Sequence, residues 1–295
     1  MKGFKAFEKG LICKGKQYAE NTVFEEPEAI VCKKGMHFCK NPFDVLDYYP
    51  LIDDNGNFPD FAVVEALDEP VTDDGKKFCS KKLKIGAKLS FANFIKAAAS
   101  FEFEKTENDK KSNVIGNSGD YAKIGSSGDS AQIGSSGDSA QIGSSGDSAQ
   151  IGSSGNYAQI GSSGDSAKIG SSGNYAKIGS SGDYAKIGSS GDYAKIGSSG
   201  NYAQIGSSGD SAKIGSSGDS AKIASEGKYA VICCAGHGSI AKGKIGSWIT
   251  LSEWKYSDIE HANIPVCVKT KKIDGVKIKA DTFYKLVNGE FVEVK

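Results

Sequence analysis

A nine-residue repeat occupies the middle of this 295-residue chain and constrains its fold more than any other feature. Ile recurs at every ninth position from Ile115 to Ile223, giving thirteen copies of I-G-S-S-G-[DN]-[YS]-A-[KQ], and the series closes at Ile232. Each unit contains two glycines, and because a glycine costs about 1 kcal/mol inside a helix, long helices are disfavoured. The period therefore predicts a β-solenoid, in which each coil buries its apolar side chains against its neighbours.

Each repeat is expected to contain one turn and one short strand. Gly-Ser-Ser-Gly predicts the turn, because glycine adopts positive φ readily, and five residues such as 183–187 (DYAKI) predict the strand. Side chains alternate along a strand, so Asp, Ala and Ile should point inward, with Tyr or Ser and Lys or Gln outward. We expect two repeats per coil, which gives a flattened tube with a period of about 18 residues. Three repeats per coil is the alternative.

The chain divides into three segments by composition: an α+β N-terminal domain at 1–110, the solenoid at 111–232 and a β C-terminal cap at 233–295. The predicted fold class is therefore mainly β. We expect the C-terminal cap to cover one end of the solenoid and the N-terminal domain to cover the other, because an uncovered strand edge invites aggregation.

Several local signals predict elements within the two flanking domains. Asn41-Pro42 indicates the start of a short helix, and Ser90 the cap of a second one. Asn288-Gly289 is typical of a tight β-hairpin. The remaining predictions are a strand at 61–67, turns at 53–56 and 73–75, and a linker at 104–113.

The charge composition argues against direct nucleic-acid binding. All 36 basic residues are Lys, and they equal the 36 acidic residues in number. Arg supplies the planar fork that grips phosphates and guanine edges, and Lys cannot reproduce it. The chain has no apolar run of the roughly 18 residues that a membrane span needs, and from its charged first residues we expect no secretory signal. Seven cysteines in such a chain indicate reduced thiols in a cytoplasm.

Two end segments carry a family resemblance. KGMHFCKNPFDVLDYYP (34–50) and KADTFYKLVNGEFVEV (279–294) resemble the ends of bacteriophage and prophage proteins that carry a central array of Gly-Asp/Asn nonapeptides. The resemblance implies a phage-related origin and a solenoid centre, and it transfers no catalytic residue. The array is also distantly similar to pentapeptide-repeat proteins, some of which mimic duplex DNA, although the five-residue period is absent here.

A column of Asp or Asn residues recurs once per unit and offers three interpretations. Calcium-binding β-rolls use G-G-x-G-x-D spacing, whereas here Asp follows the second Gly directly. Mimicry of DNA would work only at contact, because the repeat Lys residues nearly cancel the Asp charge over a Debye length of about 8 Å. The favoured interpretation is hydrogen bonding of Asp or Asn to the backbone of its own turn.

An outward column of tyrosines is the stronger candidate for binding a partner, because Tyr offers a large contact area with little loss of side-chain entropy. Two repeats per coil would place Tyr157, Tyr175 and Tyr193 in one ladder and Tyr184 and Tyr202 in another on the opposite face. A solvated ladder stabilised by stacking is the alternative. The candidate partner-binding residues are these five tyrosines together with Asp165, Asp183, Asp192, Lys177 and Lys195.

The cysteines and histidines form two clusters with limited chemical promise. Cys32, His37 and Cys39, or Cys233, Cys234 and His237, could supply metal ligands, but neither set has the usual CxxC spacing. His37 and Cys39 could form a nucleophile pair, although no third orienting residue is evident. We therefore expect no catalytic set, no metal and no cofactor.

These observations predict a non-catalytic, protein-binding solenoid that is encoded by a phage and acts in the host cytoplasm. Its expected partner is a host protein or ribonucleoprotein, such as a nucleic-acid-acting defence complex of the CRISPR type, which it would inhibit or redirect. A homo-oligomer is compatible with the sequence. The alternatives are a structural or adhesin role in a virion, and an enzyme within residues 1–110 that handles nucleotides or transfers a group.

Overall fold

The computed structural model describes residues 1–53, 58–108 and 114–294. Its N-terminal domain contains a seven-stranded sheet in the order β4-β9-β6-β1-β5-β8-β7, in which every pairing is antiparallel. The helices of this domain are the 3-10 helix η1 (Pro42–Asp47) and the helix α1 (Phe91–Asn108). Its strands are β1 (Lys2–Phe7), β2 (Ile12–Cys13), β3 (Lys16–Gln17), β4 (Thr22–Glu25), β5 (Met36–Cys39), β6 (Asp60–Ala66), β7 (Val71–Thr72), β8 (Lys77–Ser80) and β9 (Lys82–Leu89).

The local signals in this domain are largely confirmed. Asn41 caps η1, where its side chain accepts a hydrogen bond from the Phe43 N–H at 2.9 Å. Ser90 caps α1 by accepting from the Asn93 N–H at 3.2 Å. The linker prediction was wrong for residues 104–108, which continue α1, while 109–113 lie outside the described residues. The turn predicted at 53–56 lies largely outside them too.

The repeat forms a two-sided solenoid. Ile115 pairs with Ile133 and Ile124 pairs with Ile142, so equivalent residues lie 18 positions apart and the expectation of two repeats per coil is confirmed. The strands of the first sheet are β10 (Val114–Asn117), β12 (Gln132–Ser135), β14 (Gln150–Ser153), β16 (Lys168–Ser171), β18 (Lys186–Ser189), β20 (Gln204–Ser207) and β22 (Lys222–Ser225). Those of the second are β11 (Lys123–Ser126), β13 (Gln141–Ser144), β15 (Gln159–Ser162), β17 (Lys177–Ser180), β19 (Lys195–Ser198), β21 (Lys213–Ser216) and β23 (Val231–Cys234).

The predicted position of the strand within the repeat was wrong. The strand is [KQ]-I-G-S, and the turn is the following S-G-[DN]-[YS]-A. Ile and Ala do face inward, as in Ile187 and Ala185, which are fully buried. Asp faces the turn, however, and the interior position beyond Ile belongs to a buried serine such as Ser189.

The left-handed residue of the turn is the Tyr or Ser, not a glycine. Tyr175 has φ of 58° and Ser166 has φ of 57°, whereas no repeat glycine has a positive φ among the described residues. An inter-coil hydrogen bond holds this conformation, because the Tyr175 N–H donates to the Asp192 carbonyl at 2.8 Å. The tyrosines therefore project from the corners of the tube, and not from its sheets as predicted.

Steric crowding between coils explains the second glycine of each unit. A Cβ on Gly191 would overlap the backbone carbonyl of Gly173 in the preceding coil, and equivalent clashes recur along the stack. Only hydrogen fits where two backbones approach so closely.

The Asp/Asn column also bonds between coils. The Asp165 Oδ1 accepts from the Asp183 N–H at 2.8 Å, and the Asn156 Oδ1 accepts from the Asn174 N–H at 2.9 Å. The expectation that each side chain bonds its own turn was therefore wrong, since the acceptor and donor lie 18 residues apart. The Asp and Asn side chains therefore hydrogen-bond each turn to the equivalent turn of the next coil.

The N-terminal domain packs on the outer face of the first sheet, along α1 and η1, and not across the end of the tube as predicted. The apolar residues Phe43, Phe91 and Ile95 meet the glycine column of that sheet, so the outer face of strands β10 to β22 is called the docked face. The outer face of strands β11 to β23 is called the open face.

Two hairpins extend the sheets at the C-terminal end. Stacking continues beyond the expected limit at residue 232, because β25 adds to β23 in parallel with Trp248 opposite Val231. The hairpin predicted at Asn288-Gly289 is confirmed, with φ of 50° and 71° at the two turn residues. The strands are β24 (Ile240–Lys242), β25 (Trp248–Ser257), β26 (Ala262–Lys272), β27 (Tyr284–Val287) and β28 (Glu290–Glu293).

Two glycines of the repeat should respond oppositely to alanine. Gly191→Ala should lower the free energy of unfolding by at least about 2 kcal/mol, because the new methyl group overlaps the Gly173 carbonyl. Gly179→Ala should leave stability unchanged or raise it by about 0.5–1 kcal/mol, because no atom lies within 4 Å of the position that its methyl group would take. Denaturant titration followed by circular dichroism measures both, and equal destabilisation would contradict the inter-coil clash.

Candidate protein-interaction surface

Three columns of outward-facing residues form the open face. The first is the row of Lys or Gln that begins each strand, the second is the glycine two residues later, and the third is the exposed serine that follows the strand, such as Ser181. Together the first two line a shallow trough of about 1300 Å³ that runs along the sheet. The row consists of Lys123, Gln141, Gln159, Lys177, Lys195 and Lys213.

Among the described residues, the glycines of the open face have no neighbour that requires a glycine. A Cβ built on Gly143, Gly161, Gly179 or Gly197 meets nothing within 4 Å. Glycine inside a strand reduces stability by about 0.5–1 kcal/mol relative to alanine. A glycine in a strand often marks the close approach of a ligand or of another backbone. The open face therefore has the geometry of a contact surface, and no other segment in the described ranges covers it.

The docked face shows what this geometry can receive. A Cβ on Gly170 would lie 2.8 Å from the Phe43 ring, and one on Gly206 would lie 2.7 Å from the Phe91 ring. Helix α1 runs along the glycine column, with Ala99 against Gly152. The absence of side chains on the sheet is what lets rings and helix backbone approach it.

The Lys and Gln side chains on the docked face form hydrogen bonds and an ion pair with η1 and the residues next to it. Gln150 accepts from the Asn41 side chain at 2.8 Å and donates to Asp44 at 3.0 Å. Lys168 forms an ion pair with Asp47 at 2.5 Å. In contrast, Lys177 and Lys195 of the open face are exposed and make no side-chain hydrogen bond or ion pair within the described residues.

The two tyrosine ladders have the predicted membership. The rings of Tyr157, Tyr175 and Tyr193 stack with centroids 5.0 and 4.9 Å apart, and those of Tyr184 and Tyr202 stack at 5.0 Å. The first ladder lies two residues before open-face strand positions, such as Gln159 after Tyr157, and the second lies two residues before docked-face positions. Every ring in both ladders is about half exposed.

The other sequence-predicted site residues fall into two groups. Lys177 and Lys195 lie on the open face, and Asp192 lies in the turn that carries Tyr193. Asp165 and Asp183 lie in the opposite row of turns. Sequence reasoning missed the glycine column, whose signal was the first glycine of each unit, because that glycine had been assigned to a turn.

The cysteine and histidine clusters do not assemble a metal site in the described part of the chain, where no three potential ligands come together. The His37 Nε2 accepts from the Cys32 N–H at 2.9 Å, so this nitrogen already has a partner. Burial raises the pKa of Cys39 to about 12, and that of Cys234 likewise to about 12. Burial thus disfavours the thiolate form of Cys39 and Cys234, which is the form that acts as a nucleophile.

The comparisons with known proteins identify one segment. Residues 1–97 match the family model of a domain of unknown function, DUF7666, which covers β1 to β9, η1 and the start of α1. No curated protein and no solved structure matches the chain. Among the described residues, no helix combines the length and the apolar character needed to cross a membrane.

His37 should make the stability of the N-terminal domain depend on pH. Burial, together with the positive charges of Lys5, Lys77 and Lys14, lowers the pKa of His37 to about 4. An unfolded histidine titrates near pH 6.5. Between about pH 6.5 and pH 4 the unfolded state therefore binds a proton that folded His37 does not, so the free energy of unfolding falls as the pH is lowered through this range. His37→Gln should therefore flatten the decline in unfolding free energy over this range.

Urea titrations at several pH values between 4 and 7 measure the decline in each protein. The same slope in wild-type protein and the His37 variant would show that this residue binds a proton equally in both states.

Proposed function

We propose that this protein is a non-catalytic scaffold that binds another protein through its open face and the adjoining ladder of Tyr157, Tyr175 and Tyr193. The supporting observation is the contrast between two faces built from the same unit. The docked face uses its glycines to receive rings and a helix, whereas the open face carries the same glycine column without any occupant among the described residues. Exposed stacked tyrosines beside it add an apolar border with hydrogen-bonding tips.

The chemistry of the partner follows from the docked face. There, the carboxylates of Asp44 and Asp47 meet Gln150 and Lys168, while aromatic rings lie over the glycines. The open face carries Lys in four of the six row positions among Lys123–Lys213, so it favours a partner with excess negative charge. We therefore propose that it receives an acidic amphipathic segment whose aromatic or aliphatic side chains lie on the glycine column.

The length of the trough fits such a segment. Strands β11 to β23 place seven rungs along it, which at about 4.8 Å per strand span about 29 Å. A helix of about 19 residues covers the same distance at 1.5 Å per residue. The 18-residue helix α1 shows that a helix of this size lies along a face of this solenoid.

The finer proposal is that the chain is encoded by a phage and that its partner is a host defence protein or ribonucleoprotein of the CRISPR type, bound in the host cytoplasm. Its support is the resemblance of the two ends of the chain to phage proteins, together with a rigid surface suited to blocking a partner. The virion and N-terminal enzyme alternatives predict different outcomes in the experiments below.

The first experiment replaces the open-face ladder. Tyr157→Ser, Tyr175→Ser and Tyr193→Ser together should weaken binding of the partner by at least tenfold, because exposed aromatic anchors carry much of the energy of an interface. Ser occupies the same turn position at Ser139 and Ser211, with the same left-handed backbone, so the fold should persist. Affinity capture from host lysate, quantified by mass spectrometry and followed by titration of the purified partner, gives the measurement.

The matched control replaces the other ladder. Tyr184→Ser with Tyr202→Ser should retain the partner, because these rings form the ladder in the opposite row of turns, outside the proposed binding ladder. A second variant with Thr at Gly161, Gly179 and Gly197 should abolish capture without loss of stability, since it fills the trough with β-branched side chains. Full capture by both open-face variants would place the binding surface elsewhere.

The anti-defence role needs a functional assay. Expression of the full chain in a host with an active CRISPR-type complex should restore plaque formation by a targeted phage, and the Thr variant should not. Detection of the protein as a component of purified virions, with no effect on plating, would favour the structural alternative. Restoration by the N-terminal domain alone, once that fragment had been shown to fold, would contradict a role for the solenoid surface.

A further inference from the structure

The N-terminal domain contains a cavity that the solenoid proposal does not use. It has a volume of about 680 Å³ and lies between β1, β5, the end of η1 and the loops around residues 13–18 and 26–35. Small-molecule sites typically enclose about 300–1,000 Å³. This cavity therefore has the size of a site for a cofactor or a metabolite.

A buried lysine lies in the wall of this cavity. Lys5 is only 5% exposed, and its ammonium group donates to the His37 carbonyl at 2.9 Å and lies 3.5 Å from the Cys13 thiol. No carboxylate of the described residues forms an ion pair with it, and burial lowers the pKa of Lys5. A buried ammonium without a counterion is costly, and a bound anion would supply the missing charge.

The charged residues that line the cavity are mostly positive. They are six lysines, Lys5 included, and two glutamates. Both glutamates already have partners, since Glu26 pairs with Lys16 and Glu28 pairs with Lys34 at 3.0 Å. The lysines that remain without a carboxylate partner from the cavity wall are Lys5, Lys14, Lys33 and Lys77.

The cavity also offers aromatic surface. Tyr48 is 44% exposed, and the Lys77 ammonium lies 4.2 Å from the centre of its ring. Tyr49 places its hydroxyl 3.1 Å from the Cys13 thiol. A ligand held by several lysines carries more than one negative charge, which favours phosphate over a single carboxylate. Aromatic rings next to such a group favour a flat organic moiety.

We propose that this cavity binds a phosphate-bearing small molecule, with Lys5 as its buried anchor and Lys14 and Lys33 as phosphate contacts at the rim. A nucleotide and a free polyphosphate share this chemistry. The cavity is separate from the open face, so this inference is independent of the proposed protein-binding function.

Isothermal titration of the full chain provides the test, with ADP, inorganic pyrophosphate and adenosine as the probes. ADP should bind, and adenosine should not. Pyrophosphate binding as tight as that of ADP would identify the phosphates as the whole recognition element, whereas tighter binding of ADP would identify a nucleotide site. Absence of binding by both phosphate probes would overturn the proposal.

Variants assign the binding to this cavity. Lys5→Met should weaken ADP binding at least tenfold, because it removes the buried charge. Lys14→Gln with Lys33→Gln should weaken it severalfold, and both residues are exposed, so this variant decides the question if Lys5→Met fails to fold. Lys84→Gln, on the exposed side of β9 and outside the cavity, is the control and should bind as wild type does.

Unchanged affinity in the Lys14/Lys33 variant and in a folded Lys5→Met would refute the assignment. Partner capture by the open face should remain normal in all three variants, which separates failure here from failure of the solenoid proposal.

Discussion

In-register pairing between coils is the constraint on which the rest of the solenoid depends. Each residue lies beside its equivalent 18 positions away, so Ile covers Ile and glycine covers glycine along both sheets. The turns follow the same rule, because a glycine such as Gly191 must leave room for the carbonyl of Gly173. Once this register is set, every outward position becomes a straight column, and the surface can vary only by changing a column residue by residue.

The repeat does vary in a few outward columns, and this limits where recognition can reside. A unit carries either Asp or Asn, either Tyr or Ser, and either Lys or Gln, while the strand glycine is constant until Ala224 on the docked face and Cys233 on the open face. The Asp/Asn column is occupied with inter-coil hydrogen bonds. The tyrosine, lysine and glycine columns of the open side remain available for contact. Duplication of one repeat unit would explain why glycine occurs on both faces. It does not explain why three consecutive coils carry Tyr157, Tyr175 and Tyr193 in the turn before the open-face strand.

The β-solenoid could be predicted from the sequence because the nine-residue period is specific to that architecture. The inward Ile and Ala follow from a nine-residue spacing and side-chain alternation. Two repeats per coil was the favoured expectation and three the alternative, and the register of 18 residues in the structure decides for two. The grouping of the tyrosines depended on that choice. The position of the strand did not follow, because D-Y-A-K-I and K-I-G-S both place Ile inward, and pairing could not be tested without coordinates. The choice of D-Y-A-K-I as the strand predicted that Asp183 points inward and that Gly188 lies in a turn. In the structure Asp183 lies in a turn and Gly188 lies in strand β18. The docking of α1 was equally inaccessible, since it depends on a contact between segments far apart in sequence.

One short helix connects the two surfaces for which binding is proposed. On one side of η1, Asp44 and Asp47 hold Gln150 and Lys168 of the solenoid. On the other, Val45 and the following Tyr48 line the cavity of the N-terminal domain. A 3-10 helix of six residues cannot move one side without moving the other. A ligand that binds only the folded N-terminal domain stabilises that domain by mass action, and the η1 contacts would pass part of this stabilisation to coils that include Gln150, Lys168 and Lys186.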